Sequence, residues 1–149
     1  MRITVASWMA AGAVALAAAT SGGVAAADTA QTPGISTFRS PSANIGCVLY
    51  EGSARCDVRD RTWTPPPAPP NCDTHIVDYG QGVEVDPTGP GRLVCAGDTA
   101  LDPSAQPLAY GTSTVVGAIR CDSAPDGMSC LNTADGHGFW ISAQGYRVY

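Results

Sequence analysis

Six cysteines constrain this chain more than any other feature, and four of them fall in a repeated pattern. The stretches CVLYEGSARC (Cys47–Cys56) and CDSAPDGMSC (Cys121–Cys130) each hold two cysteines with eight residues between them and a turn signal among those eight. Pairing Cys47 with Cys56 across a hairpin sets Tyr50 opposite Ser53 and leaves Glu51-Gly52 as a two-residue loop. Glycine at the second loop position suits the positive φ of such a turn. The alternation of Arg55, Asp57, Arg59 and Arg61 with Cys56 and Val58 then puts the charges on the solvent face and the cysteine on the inner one. In the second stretch Pro125 cannot take positive φ, so the expected connection is a longer loop, Ala124 to Gly127. It is built on a type I turn with Gly127 left-handed, which keeps Cys121 facing Cys130. Cys72 and Cys95 remain and close a loop of about twenty residues, worth roughly 3 kcal/mol by chain entropy. Chemistry is the rival role for these cysteines, but no C-x-x-C is present to start a zinc site or a redox motif. The expectation is three structural disulfides in sequence order.

Structural disulfides call for an oxidising compartment, and the N-terminus supplies a route. Arg2 is followed by an apolar small-residue stretch from Met9 to Ala19, then by Ala25-Ala26-Ala27 before Asp28. This is the layout of a secretory signal peptide covering residues 1–27. Its Ala- and Gly-rich composition suits cleavage better than permanent anchoring. Residues 28–37 read as a flexible polar tail and 38–149 as one disulfide-stabilised domain. The expected product is secreted and extracellular, with no membrane span once the leader is removed.

All eight basic residues are arginines, scattered along the chain, against thirteen acids. Nucleic-acid binding needs clustered positive charge, so that class is excluded. The Ala, Gly, Pro and Arg bias without lysine reflects GC-rich coding. TWTPPPAPPNC is a stiff polyproline-type connector. No window carries a sustained 3.6-residue apolar period, while QGVEV, RLVC, STVVGAIRC, MSCLNTA, GFWIS and YRVY read as short strands between turns. The fold class that follows is all-β, a small disulfide-stapled antiparallel sandwich or barrel. The two similar hairpins raise an internal duplication, which two turns alone do not establish.

Residues with catalytic chemistry are few. His137 in DGHGFW, with Asp135 two residues before it, has the makings of a general base and its orienting carboxylate. No nucleophile motif accompanies the pair, and a turn histidine at a strand start is the plainer role. His75, near Asp73 and Asp78, lacks a second histidine at ligand spacing. DSAPDG opens like a calcium loop but has Ala124 and Thr133 where oxygen ligands belong. No metal or cofactor is therefore expected. Asp73, Asp78, Glu84 and Asp86 contain the raw material of a carboxylate pair, although a solvated acidic face is the ordinary outcome. Trp63, Tyr79, Tyr110, Phe139, Trp140, Tyr146 and Tyr149 are core or strand residues by default. His137, Trp140 and Tyr146 would form a contact surface if exposed together.

The segments SPSANIGC and GHGFWIS, with CVLYEGSARCDV, DYGQGVEV and VCAGDTAL between them, resemble a family of small secreted, cysteine-containing actinobacterial proteins of unknown function. The resemblance spans Phe38 to Tyr149 and implies one exported domain from a GC-rich bacterium. It implies no activity, substrate or catalytic residue. Two functional classes remain. The first is a non-enzymatic extracellular or envelope binding module, of which an inhibitor of a secreted enzyme is one form. Its loops near Pro87–Gly91 and Asp135–Trp140 would contact a protein or a cell-envelope carbohydrate. The second is a small hydrolase using His137 with a nearby carboxylate.

Overall fold

The computed structural model describes residues 34–149. The proposed signal peptide and residues 28–33 of the proposed tail lie outside the described residues. Eleven strands follow in order: β1 (Ile35–Arg39), β2 (Ile45–Tyr50), β3 (Ala54–Val58), β4 (Asp78–Val85), β5 (Arg92–Ala96), β6 (Gln106–Pro107), β7 (Ser113–Val116), β8 (Ile119–Ala124), β9 (Gly127–Asn132), β10 (Gly138–Ile141) and β11 (Tyr146–Val148). They form two sheets, in the order β5-β4-β3-β2-β1-β6 (sheet A) and β11-β10-β9-β8-β7 (sheet B). Apart from the short parallel β1–β6 pair, every pairing is antiparallel. The architecture is a sandwich, and no barrel closes. Order begins earlier than the sequence suggests. Ile35, Ser36 and Thr37 pair with Tyr50, Leu49 and Val48 in register, so they belong to β1 and not to a tail.

The core forms where the inward positions of the two sheets meet. Ile45, Cys47 and Leu49 of β2, Ala54, Cys56 and Val58 of β3, and Val83 and Val85 of β4 face Ile119, Cys121, Met128, Cys130, Phe139 and Ile141 of sheet B. Alternation puts every second residue of a strand into that layer. The disulfides Cys47–Cys56 and Cys121–Cys130 link directly opposed strand residues, each with Cα atoms 4.1 Å apart. Both lie inside the core, and Cys56 Sγ touches Cys130 Sγ at 3.9 Å. Cys72–Cys95 ties the long β3–β4 connection to β5, with Cys95 exposed.

The hairpin turns differ in detail from their sequence reading. Tyr50 N–H donates to Ser53 O at 2.8 Å, so Glu51-Gly52 is the two-residue loop. Gly52, however, is not at positive φ. Its small size matters because a Cβ there would lie 3.1 Å from Pro87 Cγ. In the second hairpin the ladder runs on to Ala124 opposite Gly127, which shortens the loop to Pro125-Asp126. Both loop residues keep negative φ, as Pro125 demands, and the conformational cost passes to Gly127 at φ 152°, outside the left-handed helical region expected for it.

Each sheet contains a five-stranded meander, β1–β5 in one and β7–β11 in the other, with its disulfide joining the second and third strands. Cys56 and Cys130 occupy equivalent places 74 residues apart, and their sulfurs meet. Contact between equivalent residues is what a two-fold axis between the sheets produces. The likeness of the two hairpin turns therefore extends to the strand order and disulfide placement of both meanders.

Candidate functional site

The outer face of sheet A is where polar chemistry collects. Alternation along β3 sends Arg55 and Asp57 outward, away from the core. Strand register then aligns Thr37, Val48, Arg55, Glu84 and Arg92 in one row across β1 to β5. A second row holds Gly46, Asp57 and Gly82. Over this row the chain after β5 folds back as residues 97–102. Glycine is required at both flanks. A Cβ on Gly46 would sit 2.5 Å from Ala100 O, and one on Gly82 would collide with Asp57 and the Cys56 carbonyl.

Asp57 is the peg that holds this loop down. Although it lies on the face the sequence assigns to solvent, it is 0% exposed. Its carboxylate accepts hydrogen bonds from Arg55 Nε (2.9 Å), Arg55 Nη2 (2.8 Å), Thr99 Oγ1 (3.0 Å) and the Ala100 backbone N–H (2.9 Å). Arg55 continues outward and donates to Asp98 Oδ1 and to the Asp98 carbonyl. Burial opposes the charge on Arg55, but the hydrogen bonds and charges of Asp57 and Asp98 outweigh it and raise its pKa above the ordinary value. The hydrogen bond from Arg55 holds the exposed Asp98 below the usual carboxylate range.

Between the folded-back loop and the hairpin tip lies a cleft of about 420 Å³. Thr37, Val48, Tyr50, Arg55, Glu84, Asp86, Asp98, Thr99 and Asp102 are among its lining residues. Glu84 sits between Arg55 and Arg92 in the row and pairs with Arg92 at 2.9 Å. Arg92 also bridges to Asp86. Burial raises the Glu84 pKa, and the neighbouring Arg92 only partly offsets that rise. A carboxyl group with a perturbed pKa in a cleft marks a functional candidate. A smaller cleft of about 260 Å³ at the opposite turns includes Ser42, Asn44, Tyr110 and Gln144.

The residues singled out from sequence are mostly elsewhere. Asp135 Oδ1 accepts from the His137 backbone N–H at 3.0 Å and Oδ2 from Gly89 N at 3.2 Å. The carboxylate thus caps a turn and ties the 135–138 loop to the 87–91 loop, and both its oxygens are engaged by backbone. These two loops do come together: Asn132 Nδ2 donates to Pro87 O, while Gly91 and Gly138 both donate to Tyr149 O. His137 lines neither cleft. Trp140 pairs in register with Arg147 and carries its guanidinium 4.7 Å above the ring, on the outer face of sheet B. Tyr146 pairs with the inward Ile141 and packs a tilted ring against Trp63, with centroids 4.7 Å apart. Trp140 and Tyr146 thus occupy opposite faces of one sheet and do not form a patch with His137. His75 is exposed in the β3–β4 connection, where its backbone N–H is bonded to Asp73. Among the described residues no three His, Cys, Asp or Glu side chains are grouped to hold a metal ion, and no helix is long and apolar enough to cross a membrane.

Of the acids weighed from sequence, Glu84 and Asp86 reach the cleft and Asp73 and Asp78 are not among its lining residues. Sequence reasoning missed Arg55, Asp57, Asp98 and Asp102 as one site. The available signal was the pair of strand glycines, Gly46 and Gly82, which announce a close backbone approach. The chain belongs to a family of unknown function (DUF6636), which it matches over residues 11–148. Neither the curated proteins nor the solved structures give a match.

Proposed function

We propose that this protein is exported and acts outside the cytoplasm as a non-enzymatic binding module, taking its ligand in the cleft on the outer face of sheet A. The observation that carries this reading is the buried Asp57 peg, which fixes Arg55 and residues 98–100 against the sheet. A recognition site gains affinity when its polar groups are held in place before the ligand arrives. Two disulfides packed against each other beneath the cleft floor supply further rigidity, and three disulfides in a small domain are typical of extracellular proteins. Export through the N-terminal signal fits the same picture. The hydrolase reading built on His137 has less support, because the Asp135 carboxylate serves backbone N–H groups.

The test is a titration of isotope-labelled, fully oxidised protein, followed by amide chemical shifts. The probes are small polar compounds of three kinds: neutral saccharides, polyamines and carboxylates. Shifts that saturate and map to Tyr50, Glu84 and Thr99 support the cleft. Saturable shifts confined to His137 and its neighbours, or no saturable shift with any class, overturn it.

A further inference from the structure

The charge pattern of the cleft narrows the ligand class, on the reading that the cleft is the binding site. The carboxylates of Glu84, Asp86, Asp98 and Asp102 line the cleft with the guanidinium of Arg55, while Arg92, paired with Glu84 and Asp86, and the buried Asp57, paired with Arg55, lie just outside the lining. An anion therefore meets excess negative charge, and the donors it would need are already engaged. Arg55 directs Nε, Nη1 and Nη2 at Asp57 and Asp98. Arg92 is bridged to Glu84 and Asp86. The same excess attracts a small cation, but not to the deepest carboxylate. Glu84, the carboxylate set deepest in the row, is flanked in register by Arg55 on one side and Arg92 on the other. A positive group approaching it comes beside two fixed positive charges.

A neutral ligand rich in hydroxyl groups suits a cleft whose free groups are mostly acceptors. Each hydroxyl donates to a carboxylate oxygen and can accept from the exposed Thr37 hydroxyl, and bonds to ionised partners are the stronger kind. Tyr50 adds the other requirement. The residue is 44% exposed and lines the cleft, and half-buried Val48, its neighbour on the outer face of β2 and a member of the row, lines the cleft beside it. Together they offer an apolar surface to the C–H face of a sugar ring. The volume, about 420 Å³, is near the lower end of the roughly 300–1,000 Å³ of small-molecule pockets, a size for one or two sugar units and not for a folded partner.

We infer that the outer face of sheet A binds a neutral saccharide. Tyr50 forms the stacking platform, Glu84 and Asp98 accept from its hydroxyls, and Thr37 and Thr99 contribute at the rim. The experiment is calorimetric titration of the oxidised protein with a panel of neutral hexose and pentose disaccharides, with spermidine and citrate as charged controls. Saturable binding of at least one neutral disaccharide is expected, weakened at least about tenfold by Tyr50→Ala and by Glu84→Gln, with spermidine and citrate giving no competition. Both substitutions are at the surface or half-buried, and circular dichroism checks that the fold survives. If spermidine or citrate binds and shifts Tyr50 and Glu84 while no neutral disaccharide does, the ligand class is wrong and the cleft reading stands. If no probe of any class reaches the cleft, both fail. Saccharide binding left unchanged by Tyr50→Ala and Glu84→Gln overturns the assignment of this site.

Discussion

Replacing Asp57 with Asn changes one atom of a buried side chain, and the structure says what that atom does. Four donors converge on the carboxylate: two from Arg55, the Thr99 hydroxyl and the Ala100 N–H, all at 2.8–3.0 Å. An asparagine carbonyl can serve the donors on one side only. The amide nitrogen on the other side points N–H groups at donors. Oδ2 takes three of the donors and Oδ1 only Arg55 Nε, so a carbonyl in the Oδ2 place loses one hydrogen bond, sets an N–H against Arg55 Nε and leaves that guanidinium without its buried counter-charge, and Asp57→Asn should destabilise the protein by about 3 kcal/mol. At roughly 4 °C per kcal/mol for a domain of this size, the midpoint falls by about 12 °C. Asp98→Asn is the matched control. Asp98 also pairs with Arg55, but its side chain is 82% exposed, so its loss should cost under ~1 kcal/mol. Urea unfolding followed by tryptophan fluorescence reads both variants. Hydrogen exchange at Ala100 reads the loop directly, because that amide is bonded to Asp57 in the folded protein. Equal costs for the two substitutions, or a cost below ~1 kcal/mol for Asp57→Asn with Ala100 still protected, would refute the peg.

The disulfides offer a second test, in which chain entropy and packing disagree. Closures of 9 and 23 residues are worth about 2.6 and 3.4 kcal/mol on entropy alone. Cys47 and Cys56 are almost completely buried, and replacing both by alanine also empties about 1.5 kcal/mol of packed sulfur volume. Urea unfolding should therefore show the Cys47→Ala/Cys56→Ala pair costing about 4 kcal/mol and the Cys72→Ala/Cys95→Ala pair about 3; the reverse order would mean that core packing contributes little. A third prediction concerns pH. Glu84 has a raised pKa in the folded protein through burial, so its contribution is fully present below its unfolded pKa and is lost as pH rises through the folded value. Glu84→Gln should gain stability relative to the native protein as pH rises from the ordinary carboxylate range through the folded value, and a difference that stays constant with pH, measured by urea midpoints, would contradict the burial argument. Finally, Gly82→Ala and Gly138→Ala place a methyl group against the Cys56 and Cys130 carbonyls respectively. Each should cost at least ~2 kcal/mol by overpacking, and only Gly82→Ala should also release Ala100 in hydrogen exchange. Tolerance of either substitution within ~0.5 kcal/mol would show that the sheet yields where the close contacts say it cannot.

The sheet class and the cysteine pairing were legible because both are local. Spacing, turn residues and period-two alternation all lie within windows of about ten residues, as in Cys47–Cys56. The burial of Asp57 was not legible for the opposite reason. Alternation assigns it correctly to the outer face of β3, but what covers that face is residues 98–101, more than forty positions away. Arg55, Glu84 and Arg92 likewise become neighbours only through the register of β3, β4 and β5. The Tyr146 and Trp140 pairing failed on a local rule that was available: in an antiparallel turn, partners of Ile141 and Trp140 take opposite faces, so residues 140 and 146 cannot share one.

The likeness of the two meanders gives a further reason to look for function on the outer face of sheet A. At an offset of 74 residues Ile45 matches Ile119, Cys47 matches Cys121 and Cys56 matches Cys130, while the buried pairs Leu49/Ser123, Ala54/Met128 and Val58/Asn132 differ. Strand register extends the match, since Asp57 opposes Gly82 in one half and Leu131 opposes Gly138 in the other, and both glycines sit over the carbonyl of the equivalent cysteine. On the outward side Gly46 and Asp57 correspond to Arg120 and Leu131, so one half carries the flat seat and buried carboxylate that receive a loop, and the other carries neither. Core differences repack within the shared sandwich, whereas the seat and its carboxylate serve a loop that only one half has. The peg, the loop it holds and the cleft beside it are what sheet A has beyond the common sandwich, and this is where a ligand would distinguish the two faces.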